Sequence, residues 1–184
     1  MGAHGAANEW NLVTIHSDHP FLEPERDPVR QLRGRLGGVV TLWTAGQGER
    51  PLDRAGLTVT SALVANGEPP RLLALLDPDS DLADLLTETG LAMVSVLSWE
   101  DRDLAEAFGG TAPAPGGAFR QAEFVPTPWG PRLASATTWA GVRLESTAEV
   151  GWSVLVTCVL EEVSVGDDDP LVHRRGRYQR PAEA

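Results

Sequence analysis

Apolar residues come along this chain in short runs, broken by glycines, prolines and acidic clusters, and their spacing switches repeatedly between helical and extended. Asp27 followed by Pro28 reads as a helix cap and first turn, with Val29, Leu32 and Leu36 as the apolar stripe and Gly37-Gly38 as the stop. Residues 39–45 then read as a strand. The next strand is Gly56-Leu57-Thr58-Val59-Thr60-Ser61-Ala62, running on through Ala65. A period of two puts Leu57, Val59, Ser61 and Leu63 on one face and Thr58, Thr60 and Ala62 on the other. Leu72-Leu73-Ala74-Leu75-Leu76 shows no alternation, which predicts a strand buried on both faces. Asp77, Asp79, Ser80 and Asp81 are cap candidates for a helix striped by Leu82, Leu85 and Leu86 and closed by Gly90. Residues 91–97 form another strand. Ser98 and Asp101 then have the spacing of a capping box, opening a helix that buries Leu104 and Phe108 and stops at Gly109-Gly110.

Residues 111–131 read as a long loop carrying Phe119, Phe124 and Trp129, either a lid or a subunit contact. Two long strands follow, 133–147 and 152–165, around a turn at Glu149-Val150-Gly151. After the acidic turn 166–170, residues 171–178 are the last strand. Many strands, short helices and no regular βα alternation predict a mainly β fold with short helices: a β-barrel with helical additions, not a doubly wound sheet.

Length and charge narrow the function. A chain of 184 residues is one domain with a substantial core. A net charge of −11 argues against nucleic acid and against an anionic membrane surface as partners. The single cysteine, Cys158, lies in an apolar run and reads as a small buried hydrophobe. His16 and His19 precede Pro20 with no third ligand nearby, so no metal site is expected. No basic leader with an apolar run and no stretch of membrane-spanning length is visible, which points to a cytoplasmic protein. Residues 1–26 read as a partly disordered arm, 27–180 as the folded domain and 181–184 as a tail.

The strand around Thr58 and Thr60 can offer hydroxyls and backbone amides to a planar polar ligand. Threonines on a solvated strand face would look the same. The order of pieces around it carries more information. Val40-Thr41-Leu42-Trp43-Thr44-Ala45 precedes Gly56-Leu57-Thr58-Val59-Thr60-Ser61. Gly67-Glu68-Pro69-Pro70 then leads into the apolar strand, Leu104-Ala105-Glu106-Ala107-Phe108 ends in Gly109-Gly110, and the chain closes with Pro170-Leu171-Val172-His173-Arg174-Arg175-Gly176-Arg177-Tyr178. Over about residues 30–180 this resembles the flavin reductase-like proteins with the FMN-binding split-barrel fold.

That resemblance implies a homodimeric split β-barrel with FMN or FAD at or near the subunit interface, reduced by NADH or NADPH. In many members the reduced flavin supplies a partner monooxygenase. It makes Thr58, Val59, Thr60, Ser61 and Ala62 the expected ring contacts, with Thr60 and Ser61 stabilising the reduced ring. Hydride transfer needs no nucleophilic side chain; His173, in the terminal strand, is the one candidate near flavin or nicotinamide, or else a histidine satisfied by a backbone carbonyl. Tyr178 is expected at the barrel end or against flavin across the dimer.

One departure stands out. Where the family carries a neutral or basic phosphate-binding turn, this chain has Asp77-Pro78-Asp79-Ser80-Asp81-Leu82, leaving Ser80 as the one good local phosphate contact and Asp77 a cofactor contact only if the aspartates face the ribityl hydroxyls. A carboxylate about 6 Å from a phosphate charge costs on the order of 2–3 kcal/mol at an effective dielectric near 20. Arg54, Arg174, Arg175 and Arg177 are the alternative phosphate holders. The acidic turn also motivates two other readings: a non-catalytic split-barrel protein for flavin or another flat cofactor (haem, deazaflavin), and a structural dimer without ligand.

Overall fold

In the computed structural model, which describes residues 27–48, 50 and 53–180, the chain opens with α1 (Pro28–Leu36), capped by the Asp27 carboxylate on the Val29 amide at 2.9 Å. The N-terminal arm with His16 and His19, and the tail 181–184, lie outside the described residues. Strands β1 (Gly38–Val39), β2 (Thr41–Gly46), β3 (Arg54–Val59), β4 (Ala62–Ala65) and β5 (Arg71–Leu76) lead to α2 (Asp81–Thr89). Then come β6 (Leu91–Val96), a 3-10 turn at Trp99–Asp101 and α3 (Arg102–Phe108). The remaining elements are β7 (Phe124–Thr127), β8 (Gly130–Leu133), β9 (Trp139–Val150), β10 (Ser153–Ser164), β11 (Val172–Arg174) and β12 (Arg177–Gln179).

Seven strands form one antiparallel sheet in the order β3-β2-β6-β9-β10-β5-β4. Its two edge strands, β3 and β4, are consecutive in the chain and joined only by Thr60 and Ser61. A single stretch therefore supplies both edges, and the sheet must curl into a barrel for those edges to meet. This corrects the reading of 56–65 as one strand. The correction also changes the faces: Leu57 and Val59 point into the barrel core, and so does Ala62. The corner thus shifts the alternation by one residue, and Leu63 ends up outside, 72% exposed.

Inside the barrel, Trp43, Val59, Ala74, Leu76, Val94, Val142, Val156 and Cys158 pack together, with Leu82 and Leu86 of α2 against them. A second core lies on the other side of β2, where Val40 and Leu42 meet Leu97, Leu104, Phe108, Leu133 and Leu171. Every residue of β2 is consequently buried.

Several expectations change. The strand foreseen at 39–45 is interrupted at Val40, whose amide bonds Leu171 and whose carbonyl accepts from Leu97. Strand β5 is not buried on both faces: Leu72, Ala74 and Leu76 point inward while Leu75 is 40% exposed. The loop at 111–131 contains a 3-10 turn at Ala118–Arg120 and the β7–β8 hairpin. Its Phe119 and Phe124 pack edge-to-face on Phe108, at 4.9 and 6.0 Å between centroids, and so belong to the second core. The turn between β9 and β10 falls at Gly151 and Trp152. The last strand is a hairpin, β11–β12, turning at Arg175 and Gly176 and pairing with β1. The apolar stripe of α1 exists, yet no described residue covers it; Leu36 is 77% exposed.

Candidate functional site

The barrel's closing corner is built by glycines as much as by hydroxyls. A Cβ on Gly56 would stand 2.6 Å from the Phe108 ring, so the glycine lets α3 lie directly on β3. A Cβ on Gly38 would collide with the Thr60 carbonyl, so β1 and the corner meet backbone to backbone. Gly38 read in the sequence only as a helix stop; its partner across the fold left no local signal.

Hydroxyl by hydroxyl, the stretch divides into fold and free groups. Thr41 Oγ1 donates to the Val59 carbonyl at 2.8 Å and accepts the Trp43 indole N–H at 3.1 Å, fixing the chain just before the corner. Thr58 Oγ1 donates to the Ala105 carbonyl of α3 at 2.7 Å. Ser61 Oγ donates to the Leu75 carbonyl at 2.7 Å. The half-buried Thr60 hydroxyl bonds no described residue. Of the three predicted hydroxyl contacts, Thr60 alone keeps its side chain available.

His173 and Tyr178 face each other across the β11–β12 ladder, their rings 5.3 Å apart and edge-to-face. His173 is also the register partner of Gly38. Opposed residues of an antiparallel ladder share a face, so Thr60, Gly38, His173 and Tyr178 gather on one side of the small sheet. Tyr178 packs against the second core, and burial, with a smaller contribution from the Glu106 carboxylate, holds its phenol above its ordinary pKa. Arg174 and Arg177 form the next pair of the ladder and therefore point to the opposite face.

The turn before α2 satisfies itself. Ser80 Oγ donates to the Asp77 carbonyl at 2.7 Å and accepts the Ala83 amide at 3.3 Å, while Asp77 Oδ1 accepts the Asp79 amide at 3.0 Å. Asp77, Asp79, Asp81 and Asp84 surround this capped terminus without an ion pair to any described residue. Tested against a flavin mononucleotide, the donor set fits a ring at the Thr60 corner and does not fit a phosphate at this turn. Arg54, one alternative, lies over the Phe119 ring at 4.5 Å.

Other polar groups are accounted for. Cys158 is buried in the barrel, and desolvation pushes its thiol up to about 12. In a cleft beside the 3-10 turn, Thr137 donates to Asp168 at 2.7 Å and Ser98 to Asp101 at 2.8 Å. Among the described residues no group of three or more His, Cys, Asp or Glu could hold a metal ion, and no helix is long and apolar enough to cross a membrane.

Residues 33–182 match the model of the flavin reductase like domain. An FMN reductase (NADH) RutF of Stutzerimonas stutzeri is 31% identical over 160 residues, covering 83% of this chain and 87% of that protein. The reductase component of 4-hydroxyphenylacetate 3-monooxygenase of Pseudomonas aeruginosa is 25% identical over 166 residues, covering 86% and 94%. Among solved structures, flavin reductase PheA2 superposes with a TM-score of 0.76 at 18% identity, covering 86% of this chain and 100% of that one. The NADH:FAD oxidoreductase SgcE6 of Streptomyces globisporus C-1027 superposes at 0.75 and 22% identity, covering 88% and 99%.

Proposed function

The chain belongs to the flavin reductase-like family, and from that premise we propose that it is an NAD(P)H-dependent flavin reductase taking FMN or FAD. The observation that carries the reading locally is the open Thr60 hydroxyl at the corner where the barrel closes, with His173 and Tyr178 on the same side. A bound flavin supplies the ring that accepts hydride from the nicotinamide. The chain's own part is to seat that ring against residues 58–62, with the Thr60 hydroxyl and neighbouring backbone at its polar edge. His173 and Tyr178 limit water on the side facing the nicotinamide. Oxidation of NADH or NADPH upon addition of FMN, FAD or riboflavin tests this; no turnover with any pairing ends it.

The relatives named as reductase components support a flavin-dependent monooxygenase as the consumer of the reduced flavin. We assign the chain to the cytoplasm, where nicotinamide nucleotides are available, and treat residues 27–180 as its one folded domain. A homodimer is supported by the outer face of β4, β5 and β10, where Leu63 opposes Leu73 and Leu75 opposes Leu155, all directed away from the barrel core. The acidic turn at Asp77 favours one alternative, a split barrel that holds flavin without reducing it. Purified protein that retains flavin yet leaves NADH and NADPH unoxidised would select that alternative.

A further inference from the structure

All fifteen basic residues of this chain are arginines, set against a net charge of −11. Elsewhere the arginines find carboxylates, as Arg71 does on Glu145 and Arg143 on Glu161, or rings, as Arg54 does on Phe119. Among the described residues six do not: Arg120, alone at the 3-10 turn Ala118–Arg120, and a group of five, Arg33 and Arg35 in the last turn of α1 with Arg174, Arg175 and Arg177 at the β11–β12 turn. The two parts of that group of five are one place in the fold. The Arg175 amide donates to the Gly34 carbonyl at 2.7 Å, and a Cβ on Gly37 would stand 3.3 Å from the Arg174 side chain. All five are exposed, and neither residues 28–48 nor 170–180 contain a carboxylate side chain.

The α1 terminus gives Arg33 and Arg35 a structural reason, since cations are favoured at a helix C-terminus. The hairpin gives its arginines none. Arg174 and Arg177 stand directly opposite each other on one face, an arrangement of like charges that destabilises a strand pair. Arg175 has φ 54°, a left-handed turn position where asparagine or glycine is the usual occupant. Charge and backbone conformation are both unfavourable at one turn, which is the pattern of a site completed by a ligand.

We infer that this arginine edge binds the pyrophosphate of an adenosine diphosphate moiety. Guanidinium groups match phosphate oxygens in pairs, and several converging on one edge suit two adjacent phosphates. The inference rests on the flavin reductase reading for the identity of the ligand, because NAD(P)H and FAD both carry that moiety. It also fits the placement: the arginines lie one ladder step from His173 and Tyr178 but on the opposite face. A ligand joining the two must be long enough to pass over the hairpin's edge, as a dinucleotide is.

Calorimetric titration of the full-length protein with ADP tests it, with adenosine as the neutral control. ADP binds and weakens as salt rises; adenosine does not show that dependence. The combined variant Arg174→Gln, Arg175→Gly, Arg177→Gln relieves the turn at position 175 and so keeps its fold; it loses ADP affinity by about tenfold or more while binding riboflavin as the wild type does. If its KM for NADH rises with riboflavin as acceptor, the moiety belongs to the nicotinamide dinucleotide. If instead FAD binding weakens and the KM for NADH holds, it belongs to the flavin. Failure of wild-type protein to bind ADP, unchanged ADP affinity in the variant, or an equal loss of riboflavin binding overturns the inference. Absence of NAD(P)H oxidation with every flavin would sink the reductase reading and leave the ADP titration to be judged on its own.

Discussion

Thr58 lies in β3 and Thr60 two residues on in the corner, their hydroxyls have different employment, and exchanging each for valine separates fold from site. Thr58→Val removes a hydrogen bond of 2.7 Å that ties α3 to β3. The Ala105 carbonyl it leaves still accepts the Gly109 amide at 2.9 Å, so no acceptor is orphaned. The loss is therefore the net value of one hydrogen bond, about 1 kcal/mol. For a domain of this size that lowers Tm by about 3 °C. Flavin affinity should not move. Thr60→Val removes a hydroxyl with no described partner. Its effect on stability should stay within about 0.5 kcal/mol, while flavin binding weakens by about 1 kcal/mol, roughly fivefold. Thermal unfolding followed by circular dichroism gives the first quantity. Quenching of the fluorescence of the six tryptophans by riboflavin gives the second. A Thr58→Val protein with unchanged Tm and weakened flavin binding would refute the division of labour, as would a Thr60→Val protein that melts early and binds normally.

Three further outcomes are expected. Gly56→Ala places a methyl 2.6 Å from the Phe108 ring and should cost about 1–3 kcal/mol in denaturant unfolding. Adding Phe108→Leu should restore part of that loss; a simple sum of two penalties would show that the ring is not the obstacle. Burial holds the Cys158 thiol at about 12 against 9.0 for the exposed group, so native protein should resist thiol reagents near neutral pH. Because the folded pKa is the higher one, this group's contribution is complete below pH 9.0 and declines as pH rises toward 12, which unfolding measured across that window checks. Leu63→Asp, at an outward position 72% exposed, should shift sedimentation from dimer to monomer without changing far-ultraviolet circular dichroism; an unaltered dimer would move the interface elsewhere.

How far the sequence could be read depended on what each signal is sensitive to. Helix boundaries were legible because capping is local: Asp27, Ser80 and Gly90 act within their own turns. Strand faces were legible only while a strand stayed unbroken. Thr60 and Ser61 are ordinary strand formers, so nothing in them announces the corner that inverts the alternation before Ala62. An apolar run cannot distinguish burial in the chain's own core from an apolar outer face, which is why the sequence predicts Leu75 buried and the structure leaves it 40% exposed. In the hairpin at 124–133, Pro126 stands opposite Pro131, and prolines at paired positions hide strands from any rule based on propensity. Around the Thr60 corner, which hydroxyls remain free depends on Ala105 and Leu75, distant in sequence and invisible to it.

The corner's surroundings also fix a direction. On one side Ser61 is bonded to Leu75, two residues before Asp77 and a turn crowded with carboxylates. On the other, the Thr60 carbonyl abuts Gly38, whose ladder partner His173 directly precedes the arginines of the terminal hairpin. A ligand with a neutral ring and an anionic tail, seated at Thr60, can extend toward either. At an effective dielectric near 20, each unit charge about 6 Å from a phosphate changes the energy by on the order of 2–3 kcal/mol, repelling it at the aspartates and attracting it at the arginines. Screening by salt reduces both values for exposed groups but reverses neither sign. For a phosphate carried by a ligand seated at Thr60, the hairpin is therefore the electrostatically favoured side. The same carboxylates that make the α2 turn unfit for phosphate would thereby help to orient such a ligand across the Thr60 corner.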